Sequence, residues 1–106
     1  MDIIKQGTTP SFICRFDPEQ ALVTDIQSAV LSVQNGDTVT HHMLDELTVY
    51  ALDNSIAYTF SQEETLAFKA DTRVIMELHI LLNDDRKCAA ELEAVVRRSL
   101  YNEVMV

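Results

Sequence analysis

Between Arg73 and Leu82 the chain alternates. Val74, Met76, Leu78, Ile80 and Leu82 share one parity, while Arg73, Glu77 and His79 take the other, with Ile75 and Leu81 as apolar exceptions. Period two over ten residues predicts a strand with one face on a core. The polar run Asn83-Asp84-Asp85-Arg86-Lys87 predicts a hairpin loop. Beyond it Cys88, Ala90, Leu92, Ala94 and Val96 resume the inward parity, with Ala89, Glu91 and Glu93 outward. A hairpin this long needs further strands over its apolar face, because a lone hairpin is marginal in water.

The earlier chain supplies them. Ile3-Ile4-Lys5-Gln6 is a short apolar start closed by Gly7, and Phe12, Cys14 and Phe16 alternate with Ser11 and Arg15 after Pro10. Residues 17–25 read as a loop with one helical turn, because Asp17-Pro18-Glu19 is a helix-start signal. A strand over residues 26–34 then meets Asn35-Gly36, a strong hairpin signal, and Thr38 to His42 returns. Leu47 to Leu52 and Ile56 to Phe60 flank the turn Asp53-Asn54-Ser55 as a second hairpin. Ser61 with Glu64 three residues on is a capping box, predicting a short helix that delivers the chain to Arg73. About seven short strands with turns near every ten residues predict an all-β sandwich over residues 1–98, followed by a tail, 99–106. Ala89 to Val106 also carries high helix propensity, with no Gly or Pro, so a helical end stays open as the alternative.

Composition narrows the function classes. With 106 residues there is room for one core, and 47% apolar content fits a folded domain. Seventeen acidic against eight basic residues give a formal charge of -9, which disfavours nucleic acid and anionic membranes as partners. No apolar run approaches the roughly 18 residues of a membrane span. The start, Met1-Asp2-Ile3-Ile4-Lys5, lacks a basic region followed by an apolar one, so synthesis in the cytoplasm without secretion is expected.

Catalytic and metal chemistry find little footing. His41 and His42 are adjacent on a strand, so they point to opposite faces and cannot chelate one ion together. One of them with Asp45 or Glu46 still lacks a third ligand, and a surface position is expected for the pair. Asn83-Asp84-Asp85 is half a calcium loop without its central Gly and distant Glu. Cys14 and Cys88 form no CxxC and stand on inward parity, so buried free thiols are expected. Ser11 and Ser61 have no nucleophile elbow, and two glycines cannot build a phosphate loop. No catalytic residue, metal ligand or cofactor site is assigned, and a non-enzymatic protein is expected. Leu100, Tyr101, Val104, Met105 and Val106 are different: they are apolar residues in a tail without a strand partner. Such residues stay exposed only where something covers them, so this tail, or an exposed sheet edge, is the candidate interaction site.

The order of elements resembles short tail- or baseplate-associated structural proteins of phages and prophages of low-GC Gram-positive bacteria. The residues that carry the resemblance are Ile3 to Pro10, the Gln34-Asn35-Gly36 hairpin, Ser61 to Phe68 before a long strand, and the closing Glu103-Val104. More loosely, the chain is similar to the immunoglobulin-like N-terminal domain of phage baseplate upper proteins, although it stops where those continue. The resemblance implies an immunoglobulin-like sandwich of about seven antiparallel strands. It implies a structural or accessory role through contacts with other virion or tail proteins, or with further copies of itself. Synthesis in a bacterial host cytoplasm and assembly into the virion would follow. Cys14 and Cys88 are separated along the chain like an immunoglobulin pair, but Cys88 falls on the last predicted strand and there is no Trp to pack on a bridge, so both are expected reduced. The alternative function is a soluble module that binds a carbohydrate or cell-surface ligand through the loops around Asp53 and Asp84.

Overall fold

Two sheets face each other across one apolar core. In chain order the elements are β1 (Asp2–Lys5), β2 (Ser11–Arg15), β3 (Ile26–Asn35), β4 (Thr38–Met43), β5 (Thr48–Tyr50), β6 (Ser55–Thr59), α1 (Gln62–Ala67), β7 (Arg73–Leu82) and β8 (Lys87–Arg97). They come from a computed structural model that describes residues 2–101 and 104. One sheet runs β1-β8-β7-β3-β4 and the other β2-β6-β5. The arrangement is a mostly β, sandwich-like fold with a single short α-helix among the described residues and 3-10 turns at Val23–Asp25 and Leu44–Glu46.

The alternation in β7 is borne out in full. Val74, Met76, Leu78, Ile80 and Leu82 are all at most 4% exposed, and they meet Leu31 and Val33 of β3 with Phe12 and Ile56 from the smaller sheet and Phe60 just after β6. Each such side chain contributes roughly 1.5–3 kcal/mol by leaving water. Three aromatic rings continue this core: Tyr58 meets Phe60 edge-on at 5.0 Å, and Phe60 meets Phe68 at 5.8 Å.

Turn chemistry sets the registers. Asn35 pairs with Thr38, so the two-residue turn is Gly36-Asp37, with Gly36 at φ 61° in the first central position that a type II′ turn reserves for glycine. Asn35 itself serves another connection: its amide donates to Thr72 Oγ1 and the Arg73 carbonyl and accepts from the Lys69 N–H. The β7–β8 loop is shorter than the polar run implied. Leu82 N–H already donates to the Arg86 carbonyl, and Asp85 takes φ 69°, as three-residue hairpin loops require. The capping box at α1 forms as expected: Ser61 Oγ accepts from Glu64 N–H at 3.1 Å, and Glu64 accepts from Ser61 N–H at 2.9 Å.

Two expectations are corrected. The described residues form eight strands, with the short apolar start as β1, against about seven expected. They are not all antiparallel: β1 runs parallel to β8, Asp2 to Lys5 against Ala94 to Arg97. Hydrophobic alternation is the same in either direction, and strands at opposite ends of a chain have no short loop to force antiparallel pairing. The helical alternative for the chain end also fails through Arg97. Pairing with β7 and β1 overrides the helix propensity of Ala89 to Val96, and no helix follows among the described residues.

Candidate functional site

One flank of the sandwich is bridged at His42, beside a cleft of about 260 Å³ lined by Thr38, Thr40, Glu64 and Phe68. On β4 the chain alternates Thr38, Thr40 and His42 on the inner face, and His42 reaches the smaller sheet and stacks on Tyr58 at 4.1 Å. Its Nδ1 lies 2.6 Å from Glu46 and its Nε2, which is buried without a hydrogen bond, 3.4 Å from Glu64. Tyr58 donates its hydroxyl to the Glu64 carboxylate at 2.7 and 2.8 Å. Burial first, and then the Glu64 carboxylate, push the Tyr58 hydroxyl well above the ordinary tyrosine range. The phenol therefore stays protonated and serves as a donor. His42 is thus an inward, mostly buried residue and not the surface one expected, whereas His41 does face outward and shares a hydrogen bond with Ser32. The network joins β4, β6, α1 and the connection between β4 and β5. Among the described residues no group of three His, Cys, Asp or Glu side chains is placed to hold a metal ion.

The opposite flank is open. Here the edges are β2 in the smaller sheet and β8 in the larger, and among the described residues β1 covers β8 from Ala94 to Arg97. Lys87 to Glu93 have no strand on that side among the described residues. The inward residues of β8 record the difference. Val96 and Ala94 are 0% and 1% exposed, Ala90 and Cys88 only half-buried, and Leu92 is 37% exposed. Two clefts open between the sheets along this flank. One, of about 220 Å³, lies beside Phe12, Leu92 and Ala94. The other, about 250 Å³, has Cys14 and Cys88 in its wall with Leu78 and Ile80. Both thiols are free, and burial pushes the Cys14 thiol up, away from the thiolate that a nucleophile needs.

The direction of the β8 backbone groups follows from its hydrogen bonds. Val96 exchanges bonds with the Asp71–Thr72 segment on the β7 side, while the Arg97 carbonyl accepts from Gln6 beside β1. Alternation along the strand then turns the N–H and C=O of Lys87, Ala89, Glu91 and Glu93 toward the open flank. Apart from the Glu93 carbonyl, which the parallel register of Asp2 opposite Ala94 gives to the Asp2 N–H, these groups have no strand to pair with among the described residues, which makes an edge a template for another chain.

Of the tail residues singled out in the sequence, Leu100, Tyr101 and Val104 are exposed, at 109%, 56% and 40%. Met105 and Val106 lie outside the described residues. The tail passes the β1–β2 turn, where the Tyr101 carbonyl lies 3.8 Å from the position a Cβ on Gly7 would take. That turn is held by α1: Thr65 Oγ1 accepts from Gly7 N–H and donates to the Thr8 carbonyl. The tail and the β8 edge are separate features. Sequence reading named sheet edges in general but missed this one; the small residues Cys88, Ala89 and Ala90 in a strand otherwise facing a bulky core were the available signal.

At the far end of the sandwich three loops are tied together. Buried Asn54 donates to the Phe16 and Ala21 carbonyls and accepts from Val23 N–H, and Arg86 donates to the Gln20 carbonyl while pairing with Asp84. This joins the 17–25 loop to those around Asp53 and Asp84. Comparison of the chain with protein-family models, with curated proteins and with solved structures finds no match in any of the three.

Proposed function

We propose that this chain is a non-enzymatic structural or accessory subunit of a phage or prophage tail or baseplate, working by protein–protein contact through its open flank and its C-terminal tail. The observation that carries the reading is the loss of cover along β8, from fully buried Val96 to exposed Leu92 on the same inward face. Edge strands bound both flanks, but only here does a half-covered inward apolar row lie beside one, and a strand added by a neighbour would cover it. A net charge of -9 and the absence of a basic cluster keep protein, rather than nucleic acid, as the partner.

The immunoglobulin-like part of the proposal is supported by strand order. β2-β6-β5 corresponds to the B-E-D side of such a domain, and β8-β7-β3-β4 to G-F-C-C′. Cys14 then falls on B, but Cys88 falls on G rather than F, which agrees with two free thiols instead of the usual bridge. A test is a protein inventory of particles purified from a culture of the organism that carries the gene. The chain is expected in the particles at a fixed ratio to the tail proteins; its absence from intact particles overturns the virion role.

A second reading has its own observation. On the outer face of the smaller sheet, Ser55 and Ala57 form a low central row between Ile13 and Arg15 on one side and Thr48 and Tyr50 on the other. An exposed tyrosine beside hydroxyls and Asp53 is the kind of surface that holds a carbohydrate ring. Saturable amide shifts at Tyr50, Asp53 and Asp84 on titration with cell-wall oligosaccharides would favour a soluble carbohydrate- or surface-binding module.

A further inference from the structure

We propose that β4 is a self-association edge: the strand pairs antiparallel with β4 of a second copy, about a two-fold axis at His41, and joins two five-stranded sheets into one. The proposal concerns the flank bridged by His42 and is independent of what docks along β8.

A comparison of the edges leads there. Sheet edges are ordinarily guarded by charge, proline, bulges or extreme shortness, because a free row of backbone groups recruits other strands. β1 carries Asp2 and Lys5, β2 follows Pro10 and ends on Arg15, and β5 has only three residues. The part of β8 before Ala94 holds Lys87, Glu91 and Glu93. β4 has none of these guards. Its six residues, Thr38 to Met43, include no Asp, Glu, Lys, Arg or Pro, and their register with β3 is unbroken. In a chain of net charge -9, this is a stretch where two copies meet without setting acid against acid.

Backbone direction decides which residues bond. Asn35 and Thr38 flank a two-residue turn and form a hydrogen-bonded pair, so alternation turns Thr38, Thr40 and His42 toward β3. The N–H and C=O of Val39, His41 and Met43 then face away from the sheet, where no strand meets them among the described residues. Their side chains share the outer face, and Val39 and Met43 are 49% and 56% exposed.

Val39 and Met43 each stand two residues from His41. A two-fold axis there lays Val39 of each copy against Met43 of the other, and that self-matching spacing is what selects a second copy as the occupant. All three outward residues become members of hydrogen-bonded pairs, with Cα atoms about 5.5 Å apart. Val30, already beside Met43, extends the apolar row across the joint. Pairing ends at Met43, because the 3-10 turn Leu44–Glu46 carries the chain out of the sheet toward β5. Neighbouring symmetric registers use less of the strand. An axis at Thr40 sets Met43 against Asp37 in the turn, and one at His42 sets Val39 against Asp45 beyond the strand end.

Sedimentation of the full chain up to about 1 mM, where even a weak contact shows, is expected to pass from monomer to dimer. Two doubly substituted chains read the register. Val39→Lys with Met43→Lys sets like charges opposite each other at two symmetric places, while Val39→Lys with Met43→Glu sets opposite charges there. The first should dimerise about tenfold more weakly than the second, or worse, even though it lowers the net negative charge and the second does not. Circular dichroism checks that both variants keep the fold. In the wild-type dimer, NMR should show methyl contacts between Val39 and Met43; within one chain, four residues of strand hold the two roughly 13 Å apart, beyond the reach of such contacts. A monomer at every concentration overturns the proposal and leaves docking along β8 intact. A dimer without Val39–Met43 contacts, or one equally tight in both variants, overturns pairing through β4. Absence of the chain from particles overturns the virion role without touching this dimer.

Discussion

The two flanks of this sandwich are built from similar strands and end differently. On the β4 side the sheets are tied by the chain crossing from β4 to β5 and by His42 stacked on Tyr58, with Glu46 and Glu64 at its ring nitrogens. The β8 side has the right parity and no bridge over its first seven residues: Cys88, Ala90 and Leu92 point inward, and nothing described covers them fully. What separates the flanks is not hydrophobicity but cover. Free backbone groups do not separate the flanks, because β4 and β5 are edge strands on the first as β8 and β2 are on the second; the difference is that His42 stacks across the sheets on one side while the inward row Cys88, Ala90 and Leu92 stays half-covered on the other.

Substitutions can sharpen that contrast. The largest effect is expected from a matched pair on the inward face. Leu78→Ala, at a residue 2% exposed, should cost about 2–5 kcal/mol in denaturant unfolding, whereas Leu92→Ala should cost less than about 1 kcal/mol in the monomer. Equal costs would mean that the open flank is covered after all. Next comes Glu64→Ala, which removes the capping box and the acceptor for Tyr58 together; a loss of roughly 2 kcal/mol is expected, with His42 released from its stack as seen in its ring proton shifts.

Tyr58→Phe is expected to cost about 1 kcal/mol at neutral pH, because one partly exposed hydrogen bond is lost. Its pH dependence is the better readout. The folded protein holds the Tyr58 hydroxyl protonated above its ordinary range, so this contribution is complete below the usual tyrosine pKa of about 10 and is lost as pH climbs past it. Wild type should therefore lose stability in alkali more steeply than Tyr58→Phe. Identical alkaline profiles would show that the hydroxyl is not held by Glu64. Smallest of all, removal of residues 99–106 should leave stability within about 0.5 kcal/mol, since Leu100, Tyr101 and Val104 are exposed. A larger loss would place the tail in the core instead of at an interface.

How far the residues themselves disclose this is uneven, for physical reasons. Parity in β7, the Gly36 turn and the Ser61–Glu64 cap are local patterns, and all three appear as read. Pairing partners are not local: nothing in Ile3-Ile4 says that it will lie parallel to β8. His42 shows the same limit. Its polarity argued for the surface, and only the arrival of Tyr58 and Glu64 from distant segments makes an inward histidine acceptable. The tail was legible as apolar and unpartnered. The free edge was signalled only by the small residues Cys88, Ala89 and Ala90, because an edge is set mainly by its neighbours.

Amide hydrogen exchange along β8 tests the account most directly. In dilute solution the N–H groups of Ala89, Glu91 and Glu93 should exchange quickly, while those of Ala90, Leu92 and Ala94, turned toward β7, stay protected. With a partner strand docked on β8 the first set should become protected too. Protection of Ala89, Glu91 and Glu93 in the dilute monomer, or their continued rapid exchange in the docked form, would contradict an open flank that works by accepting a strand.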